Sequence, residues 1–145
     1  MKKFKDLDCI LLVDDDIPTN FIHRRIVQNT KIEVDIKAIT SAREALDYIT
    51  LSGKYANDGA AIRPGIIFLD INMPGMNGWD FMEEYRKIEL EQKGKTIVIM
   101  LSTSLNPDDE LLAAADHEIV TYLHKPLNEE AFVKIAGKYF EEITN

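Results

Sequence analysis

One segment in the middle of the chain, IIFLDINMPGMNG at residues 66–78, constrains the fold more than any other. A short apolar run stops at Asp70, and the residues after it include a proline, glycines and asparagines. This pattern predicts a buried strand that delivers one carboxylate into a turn. In an open parallel sheet, ligands bind just outside the carboxyl ends of the strands. We therefore favour a chemical role for Asp70 over a turn-capping role.

Composition excludes several classes of protein. The chain has 145 residues, enough for one domain with a real core, so we expect residues 1–145 to form a single unit. No apolar run approaches the roughly 20 residues of a membrane span. The run at residues 10–13 is too short for the core of a signal peptide, so we expect a cytoplasmic protein that does not contact a membrane. The formal net charge of −8 repels phosphate backbones, which argues against nucleic-acid binding.

Apolar and alternating runs divide the chain into strands. Residues 9–13, 66–69 and 97–101 are apolar throughout, as is typical of central strands covered on both faces. Residues 32–38 alternate apolar and polar side chains and residues 119–123 are mixed, so both segments predict edge strands. A helix pattern follows each strand. Five strands alternating with five helices predict an α/β fold, namely a flavodoxin-like doubly wound parallel sheet with strand order 2-1-3-4-5.

The segments between the strands lead to three further predictions. The first helix should bury an apolar side made of Phe21, Ile22, Ile26 and Val27. The third helix should begin at the cap Asn77 and run to a stop at Gly94. Residues 52–64 are longer than the usual connection, which leaves either an ordered insertion or a mobile loop.

Polar side chains stand at the ends of four predicted strands. Asp14 and Asp15 follow the first strand and Asp70 the third. Ser102 follows the fourth strand and Lys125 the fifth. Parallel strands place these ends on one rim, so we expect the five side chains to meet in one pocket. Three carboxylates in a small site repel one another unless a cation neutralises them, and hard oxygen ligands suit Mg²⁺.

The two remaining groups suit a phosphoryl group. Lys125 supplies a positive point charge for a phosphoryl oxygen, and Ser102 supplies a hydroxyl donor. Metal, ammonium and hydroxyl around one carboxylate describe a phosphoryl-transfer site. In such a site Asp70 is the nucleophile and forms an acyl phosphate.

Four motifs in this order make the chain similar to a known family. They are LLVDD at residues 11–15, LDINMP at 69–74 followed by Gly78, the strand and serine at 97–102, and YLHKP at 122–126. With them the chain resembles the receiver domain of two-component response regulators over essentially its whole length. It looks most like the stand-alone receivers of the chemotaxis-regulator kind. Many relatives carry Thr where this chain has Ser102, and we expect the switch to survive that change because the hydroxyl is kept.

The resemblance implies roles for the acidic rim. Asp70 would be the phosphoacceptor and would also belong to the metal site. Asp15 would bind Mg²⁺ directly and Asp14 through a water molecule. Asn72 would bind the same ion through its backbone carbonyl.

The resemblance also implies a switch and its partners. Ser102 and Lys125 would bind the phosphoryl group, Tyr122 would move with Ser102, and the bond from Lys125 to Pro126 would be cis. A sensor histidine kinase or phosphotransfer protein would donate the phosphoryl group. The surface of the fourth helix, fifth strand and fifth helix would then change and bind a downstream protein that the sequence does not name. The chain would catalyse only its own phosphorylation and dephosphorylation, and it would have no output domain.

Two other functions stay open at this point. The run LLVDDD at residues 11–16 loosely resembles the first strand of haloacid-dehalogenase-like phosphatases, in which Asp14 would be the nucleophile. That family expects Thr or Val where Pro18 stands, and a late acidic pair for which only Glu129 and Glu130 are available. The second alternative is a receiver-like binding module that is never phosphorylated. The intact acids, serine and lysine of the rim argue against it.

Three polar residues near these motifs are assigned structural roles. Asp16 is expected to cap the first helix instead of binding metal. His23 lies on a helix, and His124 precedes the site lysine by one residue. The two histidines do not resemble a metal-ligand pair.

Overall fold

A computed structural model describes residues 2–103 and 106–143. The strands are β1 Lys3–Phe4, β2 Cys9–Val13, β3 Asp35–Ile39, β4 Ile66–Asp70, β5 Ile97–Ser102, β6 Ile119–His124 and β7 Glu142–Ile143. The helices are α1 Ile17–Asn29, α2 Ala42–Thr50, α3 Gly78–Tyr85, α4 Leu90–Lys93, α5 Pro107–Ala115 and α6 Glu129–Tyr139, with a single 3₁₀ turn at Gly53–Tyr55. Within these ranges no helix combines the length and apolar character needed to cross a membrane.

The main sheet confirms the predicted flavodoxin-like topology. Its five strands run in the order β3-β2-β4-β5-β6, and every neighbouring pair is parallel. Strands β2 and β4 are buried at every residue, whereas the edge strands β3 and β6 are only partly covered. This burial pattern follows from the sequence, because a strand with helices on both of its faces must be apolar on both.

One hydrophobic core lies on each face of the sheet. Helices α2, α3 and α5 pack on one face, where Phe81 and Tyr85 are the largest fully buried side chains of the helices. Helices α1 and α6 pack on the other face, where Phe132 contacts the ring of Phe68 with centroids 6.2 Å apart. The two layers hold the carboxyl ends of the strands together along one rim.

The buried side of helix α1 differs from the prediction. Phe21 and Ile22 were expected to face inward, but they are 61% and 50% exposed. The buried residues of this helix are Asn20, His23 and Val27. The reason is local, because this side of α1 faces backbone groups at the rim of the sheet, and those groups are satisfied by polar side chains.

The third predicted helix is divided into two pieces. Helix α3 begins at the cap Asn77, as expected, but ends at Tyr85, and the separate turn α4 follows before Gly94. Gly94 has a φ of 58° and ends α4, so the predicted stop is in the right place. Ile88, between the two pieces, still packs against the core.

The long connection at residues 52–64 is an ordered insertion. The hydroxyl of Tyr48 donates to the carbonyl of Ile62 at 2.8 Å and accepts from its N–H at 3.0 Å. The ring of Tyr55 packs edge-on against Tyr48, and its hydroxyl donates to Glu44 at 2.9 Å. These contacts attach the insertion to helix α2.

The chain ends form a small feature that the sequence pattern did not indicate. Strands β1 and β7 pair antiparallel, with Lys3 opposite Ile143 and Phe4 opposite Glu142. Two-residue strands carry too few side chains for a period to be visible. The backbone N–H of Lys5 donates to the carbonyl of Glu141 and continues the pairing beyond the two strands.

Candidate functional site

Three carboxylates converge where β2 and β4 end. Oxygen atoms of Asp14, Asp15 and Asp70 all lie within 4.8 Å of one another. Asp14 and Asp70 are buried, being 4% and 6% exposed, while Asp15 is exposed. They form the only cluster of three or more metal-ligating side chains in residues 2–103 and 106–143. The predicted meeting of these acids is therefore confirmed geometrically.

Backbone contacts fix the loop that carries Asp14. Its N–H donates to the carbonyl of Ile39 on β3, and its carbonyl accepts from the side-chain amide of Asn20 at 2.9 Å. Its carboxylate oxygen Oδ1 accepts from the N–H of Asp16 at 2.9 Å. Asp16 in turn caps α1 by accepting from the N–H of Thr19, so its predicted capping role is confirmed.

A glycine allows helix α3 to approach the backbone of Asp70. Gly78 N–H donates to the carbonyl of Ile71 at 2.8 Å and closes the turn that follows β4. A Cβ atom on Gly78 would lie 2.8 Å from the carbonyl oxygen of Asp70 and 2.9 Å from Cα of Ile71. Only glycine fits this contact without a shift of backbone, which explains the glycine of the motif.

Lys125 joins the two buried acids. Its Nζ lies 2.5 Å from Oδ2 of Asp14 and 2.9 Å from Oδ1 of Asp70. The backbone N–H of Lys125 donates to the carbonyl of Ser102 at 2.9 Å. The peptide bond from Lys125 to Pro126 is cis, as expected. The ammonium group therefore lies between the end of β6 and the carboxylates of β2 and β4.

Burial and the pairing of Lys125 with two carboxylates set the electrostatics of the site. Burial raises the pKa of Asp70, the hydrogen bond from Lys125 opposes this, and the charge of Asp14 adds to the increase. Burial lowers the pKa of Lys125, but hydrogen bonds to Asp14 and Asp70 outweigh it, so the pKa is raised overall. The surroundings therefore favour the charged form of Lys125 and disfavour the charged form of Asp70.

The donor set fits a hard divalent cation. The three carboxylates carry three negative charges and Lys125 cancels one, so the cluster has a surplus of two. Carboxylate oxygens at this spacing suit Mg²⁺ or a similar ion, which neutralises such a surplus. Asn72 lies in the turn two residues after Asp70 and is exposed.

Two further predicted residues, Ser102 and Tyr122, lie on the neighbouring strands β5 and β6. Ser102 is fully buried at the end of β5, next to β6 and opposite His124. Tyr122 lies two residues earlier on β6, and its hydroxyl is buried without a hydrogen-bond partner among residues 2–103 and 106–143. His124 is exposed and packs edge-on against the ring of Tyr122.

Two polar residues of α1 were missed by the sequence analysis as parts of the site. Asn20 holds the backbone of Asp14, and His23 accepts the N–H of Leu127 at 3.3 Å, two residues after Lys125. Their spacing could have indicated this role, because residues i and i+3 lie on the same side of a helix and one side of α1 must be buried. The apolar Phe21 and Ile22 between them masked it.

Comparison with known proteins agrees with this geometry. The family described as "Response regulator receiver domain" matches residues 10–136. The chain belongs to that family. A two-component response regulator from Cytophaga hutchinsonii is 36% identical, with 92% of this chain and 96% of that chain covered and a TM-score of 0.77.

Two further similar structures concern ligand-bound receivers. The Mn²⁺-bound form of response regulator Rcp1 is 26% identical over 90% of each chain, with a TM-score of 0.71. The Rcp1 sequence from Synechocystis is 24% identical over 129 residues, which is 88% of this chain and 84% of that relative. The phosphorylated cyanobacterial phytochrome response regulator RcpA is 28% identical, with 91% of each chain covered and a TM-score of 0.71.

Membership in this family establishes the general function. Receiver domains are the phosphoacceptor signalling domains of two-component systems, and they interact with histidine kinases or phosphotransfer proteins. They bind Mg²⁺ or Mn²⁺ at an acidic cluster of the kind formed here by Asp14, Asp15 and Asp70. None of the comparisons supports a phosphatase or a receiver that is never phosphorylated.

Proposed function

We propose that Asp70 is the phosphoacceptor of this receiver domain. The contact that carries the proposal is the one between Lys125 and Asp70, which places an ammonium group 2.9 Å from one carboxylate oxygen. Among residues 2–103 and 106–143, Lys125 is the side chain that pairs with Asp70, and it does so through Oδ1. Asp14 is less suited, because one of its oxygens binds Lys125 and the other accepts the N–H of Asp16.

The proposed transfer is a direct displacement. A carboxylate oxygen of Asp70 forms a bond to phosphorus while the bond from phosphorus to the imidazole nitrogen of a donor phosphohistidine breaks. The imidazole leaves with the electron pair of that bond and is protonated from solvent. Lys125 stabilises the negative charge on the phosphoryl oxygens, and the hydroxyl of Ser102 donates to one of them.

The divalent cation belongs to the same proposal. Asp14, Asp15 and Asp70 would hold it, with the backbone carbonyl of Asn72, and it would neutralise charge on the phosphoryl oxygens. Direct binding of the cation by Asp15, and binding by Asp14 through a water molecule, stay predictions from the resemblance. The domain's own part is to hold the carboxylates at the spacing described above.

Phosphorylation is proposed to alter the face formed by α5, β6 and α6, which we call the α5–β6–α6 face. An acyl phosphate carries more negative charge than a carboxylate, so it should draw Ser102 and Lys125 inward. Tyr122 has a buried hydroxyl without a partner in the described ranges, so moving it breaks no hydrogen bond within them. The downstream protein that reads the α5–β6–α6 face is not identified.

Several parts of the proposal come from the sequence and the resemblance alone. The donor would be a sensor histidine kinase or a phosphotransfer protein, and the domain would catalyse its own phosphorylation and dephosphorylation. The absence of nucleic-acid binding, a cytoplasmic location and the lack of an output domain in residues 1–145 stay predictions.

Intact mass spectrometry tests the proposal. Wild type, Asp70→Asn and Asp14→Asn are incubated with Mg²⁺ and acetyl phosphate. We expect one added phosphoryl group on wild type and none on Asp70→Asn. If Asp70→Asn is still modified while Asp14→Asn is not, the phosphatase-like alternative is correct instead.

The proposed switch has a built-in optical reporter. Trp79 is the only tryptophan, and its indole N–H donates to Asp109 of α5 at 3.3 Å. If phosphorylation moves α5, tryptophan fluorescence should change with the same rate constant as the mass increase. An unchanged emission spectrum in a fully phosphorylated sample would rule out movement at this end of α5.

A further inference from the structure

Helix α1 presents two buried polar side chains to the rim of the sheet. Asn20 and His23 are 4% and 2% exposed, whereas the apolar residues between them face outward. Burying polar groups in place of Phe21 and Ile22 costs free energy unless those groups make hydrogen bonds. Asn20 binds the carbonyl of Asp14, so this side of the helix is engaged with the acidic site.

His23 binds the backbone just beyond Lys125. Its Nε2 accepts the N–H of Leu127 at 3.3 Å, and both residues are buried. A nitrogen that accepts a hydrogen bond carries no proton, so His23 is the neutral tautomer protonated on Nδ1. Burial, together with the positive charge of Lys125, lowers the pKa of His23, and the charge of Asp14 opposes this only in part.

The segment that carries Lys125 is therefore held from both sides. Before the cis bond, Lys125 N–H donates to the carbonyl of Ser102. After it, the N–H of Leu127 donates to His23, and the side chain of Asn128 caps α6 by accepting from the N–H of Ala131 at 2.8 Å. Pro126 itself has no N–H to contribute. The bond to His23 thus ties this turn to helix α1.

We propose that His23 is a positioning residue for phosphoryl transfer, which it serves by fixing the turn that carries Lys125 through the N–H of Leu127. The inference rests on the proposed function, because Lys125 matters to the rate only if Asp70 is phosphorylated. Asp14 is held by other contacts, so His23 should affect the transfer step and leave metal binding nearly unchanged. Misplacing a catalytic group by a fraction of an ångström is enough to slow such a step.

Two substitutions separate the hydrogen bond from mere filling of space. His23→Leu fills much of the same volume without an acceptor, and His23→Gln restores an acceptor oxygen. With acetyl phosphate and saturating Mg²⁺, we expect His23→Leu to be phosphorylated about tenfold more slowly, with the Mg²⁺ dissociation constant changed less than about twofold. His23→Gln should recover most of the rate.

Val27→Ala is the matched control, since Val27 is a fully buried neighbour on the same side of α1. It should lower thermal stability but leave the phosphorylation rate at the wild-type value. If His23→Leu does not fold, His23→Met takes its place, because it also lacks a strong acceptor and its flexible chain adapts to the site.

A nuclear magnetic resonance measurement tests the contact without phosphorylation. Unphosphorylated wild type should show scalar coupling between the amide nitrogen of Leu127 and Nε2 of His23, which only a hydrogen bond transmits. Absence of the coupling overturns the proposal, and so does a wild-type rate in His23→Leu or an equal loss of rate in Val27→Ala. A wild type that takes no phosphoryl group refutes the proposed function together with this inference, whereas an unaffected His23→Leu refutes this inference alone.

Discussion

Replacing Asp70 with Asn should stabilise the folded domain in the absence of divalent metal. The substitution keeps the shape of the side chain and removes one buried charge from a cluster of three carboxylates and one ammonium group. It leaves Lys125 paired with Asp14 alone. A residue placed at the site for chemistry would thus be a cost to stability, as is common where function requires unfavourable contacts.

The magnitude follows from the distances. With an effective dielectric constant of about 20, a carboxylate at the outer limit of 4.8 Å from Asp70 repels it by roughly 3.5 kcal/mol, and the ammonium at 2.9 Å attracts it by roughly 5.7 kcal/mol. The repulsions from Asp14 and Asp15 together slightly exceed the attraction to Lys125, although solvent screens the exposed Asp15. The variant also buries one charge fewer. We therefore expect Asp70→Asn to raise the free energy of unfolding by about 1 to 2 kcal/mol at pH 7.

Acidification should remove this difference. The folded-state pKa of Asp70 is raised above its ordinary value of 3.8, so folding favours the protonated carboxyl. Below the pKa that this carboxyl has in the unfolded chain, its protonated form stabilises the folded state fully. That stabilisation is lost as the pH rises through the pKa in the folded state. The advantage of Asp70→Asn should therefore be largest at neutral pH and shrink toward pH 4 and below.

Urea unfolding at pH 7, with EDTA or with Mg²⁺, measures both parts of the prediction. Mg²⁺ at a hundred times its dissociation constant should stabilise wild type by about 2.7 kcal/mol and the variant much less. Asp35→Asn is the control, because Asp35 is exposed and lies at the opposite end of the sheet, at the start of β3. An Asp70→Asn variant that is less stable than wild type in EDTA, or that gains as much from Mg²⁺, would refute the reasoning.

Three further outcomes are expected. Gly78→Ala should cost about 1 to 3 kcal/mol in urea unfolding and slow phosphorylation, because its Cβ would meet the carbonyl of Asp70; equal stability would contradict the close contact. Lys93→Met should cost about 1 to 2 kcal/mol, since Lys93 is 4% exposed and pairs with Glu118 at 3.1 Å, and Glu118→Gln should remove part of that cost in a double-mutant cycle. Burial and the hydrogen bond to Glu44 raise the pKa of Tyr55 to about 12, so stability should fall as the pH rises from 10 to 12, and Tyr55→Phe should flatten that part of the profile.

The rim of the sheet was predictable because its position depends on topology alone. Once β2 and β4 are recognised as buried parallel strands, Asp14 and Asp70 must lie at the same edge. The apolar runs that predict those strands are long enough to show their character, and the observed order of strands agrees with them. No side-chain contact had to be known in advance.

The polar side of α1 could not be read from a hydrophobic pattern. A prediction from this pattern places apolar residues on the inner side of a helix, and the consecutive apolar residues Phe21 and Ile22 were placed there. The backbone at the rim requires hydrogen-bond partners instead, and Asn20 and His23 supply them. Which groups require partners depends on the loop after β2 and the turn after β6, and these meet α1 only in the folded protein.

From the same dependence we expect residues remote from the acids to affect the reaction. Without metal or phosphate, Lys125 is held by two carboxylates and needs little support from its backbone. In the proposed phosphorylation of Asp70, one negative charge is replaced by roughly two, so we expect the ammonium group to leave its position between Asp14 and Asp70 for the phosphoryl oxygens. During that move its side-chain contacts no longer fix it, and only the backbone does. The hydrogen bonds on either side of Lys125, including the one to His23, are therefore expected to matter more in the transfer than in the resting structure.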